Sequence, residues 1–300
     1  MKIFPKGEKM NHFFVITNKP KDKNLEITKY IVDFFQKHGR TCSYVSLENM
    51  EEELAKNNQN PLQIDERTEC ILVIGGDGTL LQAARDTLYL DIPLLGINYG
   101  SLGFLAEVEK GNLDEALETL LESELEIEKR MMLSGNIFRS DLETQEETSE
   151  KEHALNDIVL TRQGSLKILN FDIYVNGQYL NHYSADGVIV STPTGSTGYN
   201  MSAGGPIVEP KAELLLITPI CPHTLNTRSI ILSPEDKVEV RIPIGKNGHP
   251  QEVEVNFDGN YKGILRTGDR ICITKSGKVT KFVRINQVSF LEVLHKKMSE

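Results

Sequence analysis

Apolar positions in the first third of the chain come in two alternating textures. Short continuous runs, Phe13-Phe14-Val15-Ile16 and Cys70-Ile71-Leu72-Val73-Ile74, fit strands buried on both faces. Helical spacing follows the first of them: Ile27, Tyr30, Ile31, Phe34 and Phe35 recur at i, i+3, i+4, i+7 and i+8, with Gly39 where a helix C-cap belongs. Thr41 to Ser46 reads as a second strand, Glu48 to Asn60 as a polar stretch holding at most a poor helix, Thr79 to Leu88 as a helix and Ile92 to Asn98 as a strand. This alternation predicts a parallel α/β domain. Asn112 to Glu122 closes it as a helix, with Asn112 as N-cap, Glu115 as capping-box partner and Leu113, Ala116, Leu117, Leu120 and Leu121 on one face.

Near Leu125 the period drops to two, beginning with Leu125-Glu126-Ile127-Glu128. Asp141 to Glu152 is acidic and free of aromatics, and reads as a solvated loop. Beyond it nearly every segment is a strand. Phe171 to Val175 and Gln178 to His182 flank Asn176-Gly177, a strong hairpin signal. Further runs are Gly187 to Thr192, Leu214 to Thr218, Ser229 to Ser233, Lys237 to Ile242, Glu252 to Phe257, Arg270 to Thr274 and Lys281 to Ile285. The fold expected is a Rossmann-like α/β domain over 1–124, an all-β sandwich over 125–285 and a C-terminal helix over 286–300 that packs back on the first domain. Val288, Leu291 and Leu294 give that helix its apolar face, and Lys296 and Lys297 sit in its last turn.

Composition narrows the function classes. The chain has 300 residues, 39% of them hydrophobic, which is ample for two cores. A formal charge of −10 argues against a nucleic-acid partner, while leaving room for small anions in a locally positive pocket. No apolar run approaches membrane-spanning length, and Met1-Lys2-Ile3-Phe4-Pro5-Lys6 leads into charges rather than an apolar core, so no membrane association and a cytoplasmic location are expected. Cys42, Cys70, Cys221 and Cys272 are scattered, which indicates buried thiols and neither a disulfide framework nor a metal site.

Chemistry concentrates in two places. In Ile71 to Leu80 the apolar run breaks on Gly75-Gly76-Asp77-Gly78-Thr79 and resumes as a helix, a turn that presents backbone N–H groups and a helix N-terminus to anionic phosphates. Asp77 in that turn fits metal binding, or the orientation and deprotonation of a hydroxyl beside the phosphate; an ordinary turn with Asp77 capping the helix fits the same residues. Asn98-Tyr99-Gly100-Ser101-Leu102-Gly103-Phe104-Leu105 is a second glycine-punctuated loop at a strand end, where such loops build a ligand crevice. The other place is Ser184 to Pro206, a strand running into dense hydroxyls and glycines, with Tyr199 able to stack on a nucleobase. Asn156-Asp157 pairs an amide with a carboxylate, suited to ribose hydroxyls or to a solvent-facing turn, and Phe257-Asp258-Gly259 reads as a plain hairpin. His223, among prolines, reads as a structural hydrogen-bonder. There is no G-x-x-x-x-G-K-[ST] loop, no protein-kinase motif set and no G-x-G-x-x-G after the first strand.

Together these residues resemble the NAD kinase family. The likeness rests on Gly75 to Thr79, Gly96-Ile97-Asn98 with Gly100 and Leu102 to Leu105, Asn156-Asp157, Asp186-Gly187, Ser191 through Pro210, and Phe257-Asp258-Gly259. The resemblance implies phosphorylation by ATP, with Mg²⁺ or another divalent metal, of the 2′-hydroxyl on the adenosine ribose of NAD, giving NADP. It implies Asp77 as the catalytic aspartate, taking or steering the proton of that hydroxyl. It assigns NAD or nucleotide contacts to Gly76, Gly78, Thr79, Phe104, Asn156, Asp157, Asp186, Thr194, Thr197, Gly198, Tyr199 and Ser202. It further implies a homodimer or homotetramer. The chain departs from many relatives in carrying Asp157 in place of Glu and Ser184 in place of a basic residue, which leaves polyphosphate open beside ATP as donor. Two other readings are a non-catalytic NAD(P)-binding regulator and a kinase with the same glycine motif acting on a lipid or sugar.

Overall fold

The computed structural model describes residues 9–47, 62–99, 103–122, 125–140, 151–164, 168–224, 227–245, 248–285 and 288–299. The polar stretch 48–60, most of the acidic stretch 141–152 and positions 100–102 of the second glycine loop therefore lie outside the described residues. The chain divides into two compact units, Met1–Lys129 with Thr280–Glu300, and Arg130–Val279.

The first unit is the α/β layer structure. Its strands β1 (His12–Asn18), β2 (Thr41–Leu47), β3 (Cys70–Gly75) and β4 (Leu94–Asn98) run parallel in the order β2-β1-β3-β4. The interior strands β3 and β4 are buried at every position and β1 at all but its ends, which is why their sequences are unbroken apolar runs. The edge strand β2 is mostly exposed or half-buried. Helix α1 (Glu26–Lys37) buries Ile27, Ile31 and Phe35, with Phe35 stacked on Phe13 of β1 at 3.9 Å between ring centroids. Gly39 follows the helix with φ +71°, the left-handed conformation its spacing predicted. Tyr30 lies outside the expected apolar stripe, 47% exposed and donating to Asp114 at 2.7 Å.

Helix α2 (Asp77–Asp86) crosses from β3 to β4. After the short strand β5 (Val108–Glu109) comes helix α3 (Leu113–Glu122). Here the expected N-cap moves: Asn112 already belongs to a 3-10 turn, Lys110–Asn112, that runs into the helix, and the extended residue at the entry is Glu109. A tight turn at a helix start is common, and it displaces the cap by one turn relative to the sequence signal.

Strands β6 (Glu126–Phe138) and β7 (Glu152–Ala154) pair antiparallel, and the second unit is a sandwich. One sheet has the order β13-β12-β11-β8-β15-β16, formed by β8 (Asp157–Thr161), β11 (Gly187–Ser191), β12 (Leu215–Ile220), β13 (Ile230–Leu232), β15 (Glu252–Phe257) and β16 (Asn260–Arg266). Facing it are β9 (Leu169–Val175), β10 (Gln178–Ala185), β14 (Val238–Arg241) and the first part of β17 (Arg270–Arg284), in the order β10-β9-β14-β17. Alternate residues fill the space between the sheets: Leu169, Phe171 and Ile173 from β9 meet Val188 and Val190 from β11, Leu215 and Ile217 from β12, and Val253, Val255 and Phe257 from β15. The two runs expected around residues 270–285 are one strand, within which Ser276 takes a bond from the Lys278 N–H and pairs with His153 Nδ1.

The Asn176-Gly177 hairpin joins β9 to β10 with φ of +52° and +79°, as a type I′ turn requires. The C-terminal helix α5 (Phe290–Met298) starts with a Ser289–Glu292 capping box and packs back on the first unit through Phe290 against Phe104 and Lys296 toward Glu109. Of the four thiols, Cys70 and Cys272 are buried as expected, but Cys42 is only half-buried and Cys221 is exposed. Cys221 is turned out because the chain leaves β12 there with φ +44°. Among the described residues no helix is long and apolar enough to cross a membrane.

Candidate active site

In the first unit the strand order reverses between β1 and β3, so the loops leaving their carboxyl ends diverge and open a crevice. The loop at the end of β3 is Gly75 to Thr79. A Cβ on Gly75 would overlap the Thr79 side chain, whereas Gly76 and Gly78 have open space above them through which a ligand can reach the backbone. Thr79 accepts from the Asn18 amide of β1 at 3.3 Å, so its hydroxyl ties the two strand ends together.

Asp77 is the first helical residue of α2, with Gly76 in the N-cap position, and its carboxylate does not cap its own helix. It accepts instead from the backbone N–H groups of Phe104 at 2.7 Å and Leu105 at 3.2 Å, in the second glycine loop. A Cβ on Gly103 would overlap Asp77 Oδ1, so the approach requires glycine at that position. The two loops singled out in the sequence thus meet on one carboxylate. Two N–H donors fix its direction and leave lone pairs for a third donor. The Phe104 ring lies 6.0 Å from that of Phe290 in α5, with Lys297 Nζ 5.5 Å from its centroid.

In the second unit Asn156 immediately precedes strand β8 and Asp157 opens it. Their backbone N–H groups, with that of Leu155, converge on the Asp258 carboxylate at 2.7, 3.1 and 2.7 Å, respectively. Asp258 (φ +49°) and Gly259 (φ +76°) form the β15–β16 turn, so this segment is a hairpin as read and an anchor as well. The Asn156 carbonyl accepts from Thr192 N and Ser191 Oγ. Asn156 Oδ1 is buried and, among the described residues, has no hydrogen-bond partner. Burial, and secondarily the nearby Asp258 charge, pushes the Asp157 carboxyl up to about 7.

The hydroxyl-rich segment wraps beside this dipeptide. Thr192 Oγ1 donates to Leu155 O at 2.6 Å, Ser196 Oγ to Val208 O, and Thr197 Oγ1 to Thr194 O. Thr194, in the turn Thr194–Thr197, accepts from Arg130 at 3.3 Å, both side chains being buried. Most of these hydroxyls are therefore engaged within the fold. A Cβ on Gly198 would come into van der Waals contact with the Asn156 amide nitrogen, and Gly198 leads into α4 (Tyr199–Ser202), whose Tyr199 is 45% exposed and Ser202 exposed. Burial, and after it the nearby Cys221, Asp186 and Asp157, push the Tyr199 hydroxyl up from its ordinary value, with Arg162 opposing. Asp186 forms an ion pair with Arg162 at 3.2 Å.

Three contributors escaped sequence reading. Arg162 follows the strand that begins with Asp157, and a cation at that end was the available signal. Arg130 gave none. Asn200 is fully buried, accepting from Thr218 Oγ1 at 2.7 Å and donating to Ser196 O and Pro206 O. Among the described residues no cluster of three His, Cys, Asp or Glu side chains is arranged to hold a metal ion.

Known proteins are similar to this chain in sequence and fold. Residues 13–125 match the ATP-NAD kinase N-terminal domain, and residues 155–285 match the ATP-NAD kinase C-terminal domain. The NAD kinase of Lachnoclostridium phytofermentans is 45% identical over 97% of this chain and 100% of its own. Among solved structures, yeast NADH kinase complexed with NADH superposes with a TM-score of 0.81 at 25% identity, covering 97% of this chain and 88% of that one. An NAD kinase from Archaeoglobus fulgidus in complex with ATP gives a TM-score of 0.69 at 25% identity over 96% and 99%. Fold, glycine loops and likeness define a kinase. The chain belongs to the NAD kinase family.

Proposed function

We propose that this protein transfers the γ-phosphoryl group of ATP to the 2′-hydroxyl of the adenosine ribose of NAD, giving NADP and ADP. The observation that carries the reading is Asp77: a carboxylate at a helix N-terminus, beside the β1–β3 switch point, held by two N–H donors rather than used as a cap. In this reading Asp77 accepts the 2′-hydroxyl proton as the oxygen attacks the γ-phosphorus and the bond to the β–γ bridging oxygen breaks. Phosphoryl transfer through a loose transition state needs an oriented nucleophile more than a strong base. The open backbone of Gly76 and Gly78 faces phosphate, with Thr79 bracing the turn from behind.

Asn156 and Asp157 hold ribose and adenine of NAD, and the buried, unpartnered Asn156 Oδ1 supports that assignment, because an orphaned amide oxygen is costly until a ligand donor reaches it. Gly198, Tyr199 and Ser202 line the adenine side, Thr194 and Thr197 shape the turn, Asp186 serves the nicotinamide end, and Phe104 supports the loop that holds Asp77. Mg²⁺ brought with ATP would supply charge neutralisation on the phosphate oxygens. A homodimer or homotetramer in the cytoplasm, where both substrates reside, belongs to the same proposal.

The test is incubation of the protein with NAD, ATP and Mg²⁺, with NADP read through an NADP-specific dehydrogenase, and parallel arms containing NADH or polyphosphate. NADP formed from ATP and NAD by the wild type, and largely lost in Asp77→Asn, is the expected result. Absence of NADP from the wild type would overturn it. Light scattering reads the oligomer.

A further inference from the structure

The strongest unexplained feature is the convergence of three consecutive backbone N–H groups on one side chain. Leu155, Asn156 and Asp157 donate to the two Asp258 oxygens at 2.7, 2.7 and 3.1 Å, and the Asp258 N–H returns a bond to Asp157 O at 3.0 Å. The remaining carbonyls of the segment are taken by the next strand and its exit, Leu155 O by Thr192 Oγ1 and Asn156 O by Thr192 N and Ser191 Oγ. The backbone of the dipeptide is therefore fixed on both sides, and what remains free to meet a ligand is the Asn156 amide and the Asp157 carboxyl. The same Asp258 places a second negative charge against Asp157, which is 5% exposed.

We propose that Asp258 is a positioning residue for NAD recognition, its carboxylate fixing the backbone of Leu155, Asn156 and Asp157 and its charge governing the charge that Asp157 presents to the ribose. The inference rests on the reading of Asn156 and Asp157 as NAD contacts. The groups around Asp157 are Asp258 from the β15–β16 turn and Tyr199 from α4, with Asp186, Arg162 and Cys221 around Tyr199. Burial and Asp258 together carry the Asp157 carboxyl to the neutral range. The ionised carboxyl accepts hydrogen bonds from ribose hydroxyls, so NAD binds the ionised form and drives a proton off near neutrality.

Calorimetric titration of NAD into the full-length protein, in buffers of different ionisation enthalpy, reads affinity and proton release together. For the wild type, affinity should fall up to about tenfold per pH unit below the Asp157 midpoint, with a proton released on binding near that midpoint. Asp157→Asn should bind with no pH dependence in this range and no proton release. Asp258→Asn should move the midpoint down toward the ordinary carboxylate range and weaken NAD by about tenfold above it, since the Leu155 N–H loses its acceptor. Asp258→Glu keeps the charge and moves the oxygens, so it should keep the midpoint and lose affinity.

An Asp258→Asn protein with wild-type midpoint and affinity would overturn the proposal. If that variant does not fold, an Asp258→Glu protein with wild-type affinity does so. A wild type that makes NADP yet binds NAD without pH dependence sinks this inference alone. A wild type that binds no NAD sinks the underlying assignment with it.

Discussion

At the scale of single residues the site turns on how Asp77 is held. Removing its charge while keeping its shape, as Asp77→Asn, should lower kcat by about 10²- to 10⁴-fold with NAD affinity little changed, read by steady-state kinetics and calorimetry. Gly103 gives a sharper test, because it lies outside the reacting groups. Any side chain there overlaps Asp77 Oδ1, so Gly103→Ala must push the carboxylate off its two N–H donors. The expected outcome is a fall in kcat of about 10- to 100-fold with KM for NAD nearly constant, since a small misplacement of an acting group is felt in the transition state more than in binding. Both glycine loops were legible in the sequence, but not that one holds the acid of the other. Asp77 is separated from Phe104 by a whole helix and strand, and a cap and a cross-loop contact share the same local pattern.

At the scale of elements, regular structure was read best where turn chemistry decides it. Asn176-Gly177 and Gly39 require positive φ and adopt it. Elements that depend on distant partners were read less well: Arg270 to Thr274 and Lys281 to Ile285 read as two runs, and the fold makes them one strand, Arg270–Arg284. The Ser191 to Pro206 segment is the most instructive. Its hydroxyls suggested a surface of donors for a ligand, and in the fold several of them tie the segment to β8 and to itself. Asn200 is the peg of this arrangement, fully buried with three bonds and with Gly205 lying so close that a Cβ would overlap its amide. Asn200→Ala leaves Thr218, Ser196 and Pro206 short of a buried partner and should lower unfolding stability by about 2–4 kcal/mol, measured by chemical denaturation. Thr218 Oγ1 also lies 2.9 Å from the Ser229 hydroxyl, to which it can turn its proton, and this keeps the loss toward the lower end of that range.

At the scale of the whole molecule, the change of hydrophobic period near Leu125 made both layers legible, while the electrostatic character of the site was not, because Asn-Asp before a strand looks like a solvated turn. Burying Asp157 has a consequence for stability that runs opposite to the usual carboxylate. Its value rises from 3.8 in the unfolded chain to about 7 in the fold, so between those two limits the folded state binds the proton more tightly. Stability contributed by this group is therefore present at low pH and declines as pH rises through the window from about 4 to 7. At about 1.4 kcal/mol per unit over roughly three units, the loss is at most about 4 kcal/mol. Asp157→Asn removes the titration and keeps the shape. Without NAD it should melt above the wild type at pH values beyond the window, and the difference should vanish below it, as followed by thermal unfolding in a pH series. Saturating NAD should reverse the order above neutrality, because a ligand that favours the ionised carboxyl stabilises the wild type in proportion to its affinity. A variant that is firmer when empty and weaker when loaded is what a strained binding group predicts, and an Asp157→Asn protein less stable than the wild type at high pH without NAD would contradict it.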